Sequence, residues 1–317
     1  MVRFILTRCG IGLVLVWVVV TLIFLALHLV PGDPALLLLS GDGGSAPTPE
    51  AIAKVRESLG LNEPFLMQYL HYVGGLIQGD LGNSFRDGFA VTGYIGDRLP
   101  KTLELVFVAA AIAVVVGVPL GALAARRGGV VDSLVSLMTT VGLAVPVYVI
   151  GTLLVLFFAL TWRLVPAGGY VSFADDPSGH LSRLILPAVA VSLGITAVLA
   201  RMTRSAVLET MGKEWVRTAR SVGLSRSDVF TKHVMRNSLN PVVTSFGLEV
   251  GTLIGSTVLI ERVFNWPGLG SLLVDGVLQR DYPVVQGVVI VISVLFILIN
   301  IIVDISYGLL DPRVRQS

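Results

Sequence analysis

The chain has 317 residues, of which 54% are hydrophobic and only 14% charged. A soluble domain carries about 25% charged residues, so this chain cannot clothe its own surface in polar groups and needs lipid as part of its solvent. The net charge of +2 gives no reason to expect nucleic acid as a partner. The single cysteine, Cys9, excludes an intrachain disulfide and a cysteine-based zinc site. His28, His71, His180 and His233 are scattered rather than clustered. No Walker A run, H-E-x-x-H or G-x-S-x-G is present, so no catalytic residues, metal ligands or bound cofactor are expected on this chain.

A membrane-crossing helix needs about 20 mainly apolar residues. Six stretches meet that requirement, near 11–30, 103–125, 134–160, 184–200, 242–260 and 284–303. The expected fold is therefore all-α and polytopic. Pro146 is expected to kink the third span. Arg3 and Arg8 precede the first apolar run, which is too long for a signal-peptide core and is read as an uncleaved span. With both termini inside, 14 of the 23 Lys and Arg fall on the inner side, as the positive-inside rule requires.

The first outer segment, 31–101, is too long for a hairpin and is expected to form a small extracytoplasmic helical insertion. Thr48-Pro49-Glu50 has the form of a helix start, and Gly60 suits its end. Glu63-Pro64 opens a second helix ending near Gly79. Phe65, Tyr69 and Tyr72 suit anchoring at the membrane interface.

The inner segment 201–241 carries the most information. Residues 205–222 have helical composition, Gly223 suits a helix C-terminus, and Ser225-Arg226-Ser227-Asp228 has the form of a capping box. Asn237 and Pro241 are expected to close that second helix before the fifth span. Val216, Ala219 and Gly223 share one face by their spacing, while Lys213, Arg217 and Arg220 make a basic neighbouring face. Docking into a groove of a partner and contact with anionic lipid head groups both fit this pattern.

The run Glu214-Trp215-Val216-Arg217-Thr218-Ala219-Arg220-Ser221-Val222-Gly223-Leu224 resembles the coupling motif of permeases in binding-protein-dependent ABC importers. Arg236-Asn237-Ser238-Leu239-Asn240-Pro241 is similar to the peptide, nickel and glutathione branch of that family, the dipeptide permease B-like subunits. So are Val30-Pro31-Gly32-Asp33-Pro34, Gly79-Asp80-Leu81-Gly82-Asn83-Ser84, Phe264-Asn265-Trp266-Pro267-Gly268-Leu269-Gly270, Arg280-Asp281-Tyr282-Pro283 and Leu310-Asp311-Pro312-Arg313. Trp215 and Val216 stand where the commonest form of the motif has two alanines.

The resemblance implies a bacterial inner-membrane protein with a core permease domain over 102–306 and a short inner tail from 307. It implies a second permease subunit, two ATPase subunits holding ATP and Mg, and an external substrate-binding protein. The chain itself hydrolyses no ATP. ATPase coupling falls on Glu214, Arg217, Thr218, Ala219, Arg220 and Gly223. Solute, with di- and oligopeptides as the leading class, moves inward by alternating access. A stand-alone secondary transporter or channel is the alternative that the span pattern alone leaves open.

Within the spans, Gly247, Gly251 and Gly255 form two G-x-x-x-G steps, suited to a subunit interface or pore wall, and Gly117 and Gly121 form another, suited to packing within the chain. An acid at mid-bilayer costs about 2.5 to 3.5 kcal/mol on insertion scales and should face protein or water. Glu249 lies deepest and is expected on the translocation path or against a partner helix. Glu104 is expected to reach solvent, and Asp304 to sit near the inner boundary. Asn265, Trp266, Pro267 and Gly268 are expected to serve an outer gate.

Overall fold

The computed structural model describes residues 2–29, 48–58 and 62–310. Among these, the chain is built from helices: α1 (Val2–Leu29), α2 (Pro49–Ser58), α3 (Phe65–Ile77), α4 (Val91–Arg127), α5 (Gly129–Ala144) and α6 (Val147–Leu154). A π-helical turn, Val155–Thr161, continues α6. There follow α7 (Pro177–Met211), α8 (Glu214–Ser221), the single turn α9 (Arg226–Asp228) with a π-helical continuation Val229–Val234, α10 (Met235–Val263), α11 (Leu269–Gln279) and α12 (Tyr282–Leu310). Four helices, α1, α4, α7 and α12, are long and apolar enough to cross a membrane. Two bent pairs bring the number to six. Helices are the natural solution here, because hydrocarbon offers no partner for backbone N–H and C=O groups.

Two compact units are distinguished. One joins the chain up to Pro100 with Gly268–Ile301, and the other joins Lys101–Pro267 with the chain from Ile302. In the second unit α7 is the axis. In its most apolar stretch 67% of residues are buried, against 17% for α1 and 11% for α12. Helices α5, α6 and α10 pack on α7. The lower half of α4 approaches it at two glycines. A Cβ on Gly117 would stand 2.8 Å from the Thr196 carbonyl oxygen, and one on Gly121 only 2.2 Å from that of Ala200. This glycine step therefore packs helices within the chain, as its spacing suggested. The Arg204 guanidinium also pairs with Asp132 of α5, its Nη2 lying 2.6 Å from Oδ2.

Two spans differ from expectation. The third is not kinked but broken: Val145 is extended, α6 restarts at Val147 after Pro146, and the two halves meet at 106°. Proline lacks the N–H for an intrahelical bond and pushes the preceding residue out of the helical region. The fifth span begins earlier than its apolar run. Pro241 does not end a helix but lies inside α10, and the helix bends by 43° a few residues later, between Val243 and Ser245.

In the first unit, α2 starts at Pro49, with the Ile52 N–H donating to the Thr48 carbonyl at 3.1 Å. Gly60, the expected end, lies outside the described residues, as does Val30-Pro31-Gly32-Asp33-Pro34. The aromatics of α3 pack against α1. Phe65, Tyr69 and Tyr72 surround Phe24 of α1 with ring centroids 5.3 to 5.5 Å apart, and the Tyr69 hydroxyl is 2.7 Å from that of Thr21. Burial pushes the Tyr72 phenol far above its ordinary range. Two family-like runs nearly two hundred residues apart also meet in this unit. Asp281 accepts from the Ser84 hydroxyl at 2.5 Å and from the Phe85 N–H at 3.0 Å.

Overpacking a well-filled contact costs about 1–3 kcal/mol. Gly121→Ala should therefore lower the midpoint of thermal unfolding in detergent by several degrees. Gly96→Ala, on the same helix with open space at its Cβ, should leave it unchanged. Equal midpoints for the two variants would show that α4 and α7 do not approach closely at Gly121.

Candidate functional site

The segment between α7 and α10 folds locally for clear reasons. The helix expected over 205–222 is interrupted. α7 ends at Met211, Lys213 is extended, and α8 restarts at Glu214. At its far end Gly223 takes φ +91°, the left-handed conformation that glycine adopts without a Cβ penalty. The Gly223 N–H reaches the Arg220 carbonyl, and the Leu224 N–H reaches back toward that of Ala219. Ser225 then caps the next turn, its Oγ accepting from the Asp228 N–H at 3.0 Å and donating to the Asp228 carboxylate at 2.6 Å. The N-cap half of the expected capping box forms, while the Asp228 carboxylate meets the Ser225 hydroxyl rather than its backbone N–H.

The orientation of α8 corrects the expectation of a small-residue docking face. Val216 is fully buried, with Ala125, Val207, Val229 and Val234, and Ala219 packs on the same cluster. Both point into the chain's own core. What α8 leaves exposed is the opposite face: Glu214, Trp215, Arg217, Thr218 and Arg220. Gly223 is exposed with open space around its Cβ, and next to it Val222 is 73% and Leu224 44% exposed. The result is a projecting surface of two cations, a tryptophan and two aliphatics, held from behind by a buried valine.

A cavity of about 310 Å³ opens at the break in the third span. Pro146 and Ile150 form one wall, Gly194 of α7 another, and Glu249, Thr252 and Ser256 of α10 a third. Irregular backbone at membrane depth is tolerated where it is buried in protein or lines a cavity. Gly247 and Gly251 are buried, whereas Gly255 is exposed with open space at its Cβ. Only the first two therefore serve close packing. Asp304 of α12 is half-buried. Arg313, its suggested counter-charge, lies outside the described residues.

Near the other end of α10, Trp266 belongs neither to an interfacial belt nor to an exposed landing surface. It is buried, its indole N–H donates to the Lys101 carbonyl at 3.0 Å, and its ring meets Tyr170 and His180 edge-on. Asn265 is exposed with φ +49°, Pro267 is half-buried, and buried Gly268 starts α11.

Beneath Trp266 lie two polar residues whose roles the sequence did not reveal. Glu261 is fully buried and accepts from the Thr102 hydroxyl at 2.6 Å. His180 is buried with its Nδ1 2.8 Å from the Val171 carbonyl and its Nε2 2.7 Å from Glu104 Oε1. Each ring nitrogen thus lies at hydrogen-bonding distance from an oxygen. Glu104 is 32% exposed, so it reaches solvent as expected and also meets His180. A lone histidine on an apolar run gives no sign of such a contact.

Comparison with known proteins places this architecture. Residues 117–316 match the model of the binding-protein-dependent transport system inner membrane component, and residues 1–106 match the N-terminal model of such membrane components. The dipeptide transport system permease protein DppB of Escherichia coli K12 is 38% identical over 341 aligned positions, spanning the whole of both chains. A putative peptide transport system permease protein of Brucella abortus is 42% identical over the whole of both chains. A probable peptide ABC transporter permease of Sinorhizobium fredii is 40% identical over 92% of this chain and 93% of its own. Among solved structures, the MetNI methionine ABC transporter in an inward-facing form aligns with TM-score 0.55 at 19% identity, over 69% of this chain and 96% of that one. An amino acid ABC transporter aligns with TM-score 0.51 at 16% identity, over 70% and 94%. At those identities the structures show the fold alone.

A helical membrane bundle of this kind is an ABC-importer permease. The chain belongs to the family of binding-protein-dependent transport system inner membrane components, and it is a multi-pass transmembrane permease subunit rather than an enzyme.

His180→Ala should leave the Val171 carbonyl and the Glu104 carboxylate without their ring partner. An unsatisfied buried polar group costs about 1–3 kcal/mol. A clear drop in thermal midpoint is expected, with His180→Gln recovering part of it. An unchanged midpoint for His180→Ala would show that the pair carries no stability.

Proposed function

We propose that this chain is one of two permease subunits through which peptides or similar small solutes move inward across a bacterial cytoplasmic membrane. The observation that carries the reading is the full-length identity of 38% and 42% to permeases named for dipeptide and peptide transport. The second permease, two ATPase subunits with their ATP and Mg, and an external binding protein complete the machine. Both termini are cytoplasmic, consistent with the distribution of Lys and Arg. The segment from α8 to Ser225 then stands on the cytoplasmic side and docks in a cleft of the ATPase, with Glu214, Arg217, Thr218, Ala219, Arg220 and Gly223 forming the coupling element.

The division of labour within α8 supports this role. Arg217, Arg220, Trp215, Val222 and Leu224 offer a mixed basic and apolar surface, and such aromatic and arginine side chains carry much of the energy of protein interfaces. Val216 and Ala219 tie the same helix to α4 and α7. A push on one face is therefore transmitted to the bundle rather than lost in a flexible loop. Nucleotide-driven closure of the ATPases biases a two-state equilibrium of the spans. Asn265 to Gly268 form a structural corner beside the outer gate, and Gly247 with Gly251 sit at a packed wall of the path.

Gly223→Arg should retain membrane insertion and lose most peptide uptake, because the added side chain occupies the docking surface. Gly223→Ala carries the same backbone strain, about 1–2 kcal/mol, without the bulk, and should keep a substantial fraction of uptake. Equal uptake by both variants and by the unmodified protein would remove the coupling assignment. Separately, Arg217→Glu should reduce co-purifying ATPase severalfold at constant permease level. Undiminished recovery would place the ATPase contact elsewhere.

A further inference from the structure

The cavity at the broken span contains one ionisable group, and its chemistry is specific. Glu249 lines the cavity from α10 and is half-buried. Its backbone carbonyl accepts from the Thr252 hydroxyl at 2.7 Å. Among the described residues its carboxylate has no hydrogen-bond or ion-pair partner. The other acids of the spans differ in this respect: Glu104 meets His180, Glu261 meets Thr102 and Asp132 meets Arg204.

A carboxylate inside a membrane helix is expensive and normally answered by a cation or by water. Here the surrounding wall is mostly apolar, with the Thr252 and Ser256 side chains alone adding hydroxyls beside it. In such surroundings a charge pair is worth far more than in bulk water. The size also discriminates. About 310 Å³ lies at the small end of ligand cavities, which run from about 300 to 1,000 Å³. Gly194 faces the same space, with nothing within 4 Å of the position a Cβ would take.

We infer that the Glu249 carboxylate is the recognition point for a primary ammonium group of a small solute held in this cavity during passage. For a peptide this group is the free amino terminus. The apolar wall from Pro146 to Ile150 receives the first side chain, and the Thr252 and Ser256 hydroxyls stand beside the ammonium. This assignment rests on the reading of the chain as an importer permease for peptides and names the group of the solute that the permease itself contacts. The carboxylate supplies orientation and compensates one charge. It does not need to bind tightly, because a solute in transit must also leave.

The test uses the assembled importer, purified with its partner subunits, and reads Glu249 directly. Glu249 is esterified with a small water-soluble diazoacetamide, which reacts with carboxyl groups and spares amines, and labelling is quantified by mass spectrometry. Alaninamide, a small primary ammonium compound, at millimolar concentration should lower Glu249 labelling at least threefold. N-acetylalaninamide, its uncharged counterpart, should not. In the Gly194→Leu variant, whose Cβ meets nothing within 4 Å and whose longer side chain takes up cavity space, the protection by alaninamide should vanish. Equal labelling with both compounds would overturn the inference, and so would absence of labelling in the assembled complex, which would mean that a partner subunit covers the carboxylate. These outcomes do not depend on peptide uptake. Failure of the importer to move any peptide, with protection by alaninamide intact, would instead overturn the peptide reading and leave the ammonium site in place.

Discussion

The close approach of α4 to α7 is the contact on which the second unit depends. Helices in lipid gain nothing from hydrophobic burial against one another, so they associate through packing at small residues. Gly117 and Gly121 let α4 rest on the carbonyls of Thr196 and Ala200. With that contact made, α7 becomes the most enclosed helix, and α5, α6 and α10 are arranged around it. The Arg204 pair with Asp132 fixes α5 at the end of α7 that leads into α8.

This arrangement gives two continuous routes between the proposed ATPase-facing surface and the cavity. Helix α7 passes from the His180 knot, along the cavity at Gly194, to the cluster that seats Val216. Helix α10 rises from the Ser225 cap through a π-helical turn, bends near Pro241, presents Glu249 to the cavity and ends at Glu261 and Trp266. π-helical turns occur often at functional sites, and here one lies where α8 is anchored. On the proposed reading, a displacement of α8 would be passed to the helices that line the cavity, as alternating access requires.

Much of this was legible in the residues. Apolar length identified the spans, Pro49 and Pro64 marked the starts of α2 and α3, and Ser225 with Asp228 announced a cap. What was missed has physical reasons. Pro146 fixes that a helix is disturbed but not by how much, since the angle depends on what fills the wedge, here α7 and α10. The stripe of Val216 and Ala219 shows that one face of α8 will be covered, but not whether a partner or the chain's own core covers it. Hydropathy does not see Glu261 or His180 as buried, because their partners, Thr102 and Glu104, lie far away in sequence. Phe65, Tyr69 and Tyr72 have the composition of interface anchors, and their composition alone does not show that they also pack around Phe24.

The central claim is that this permease acts only as part of a larger assembly driven by separate ATPases. The most direct measurement is to tag the chain, extract it gently from its native membrane and identify the proteins that co-purify with it at fixed ratio. The account predicts a second six-span permease and two ATPase subunits. Recovery of this chain alone, still moving solute in vesicles without ATP, would contradict it.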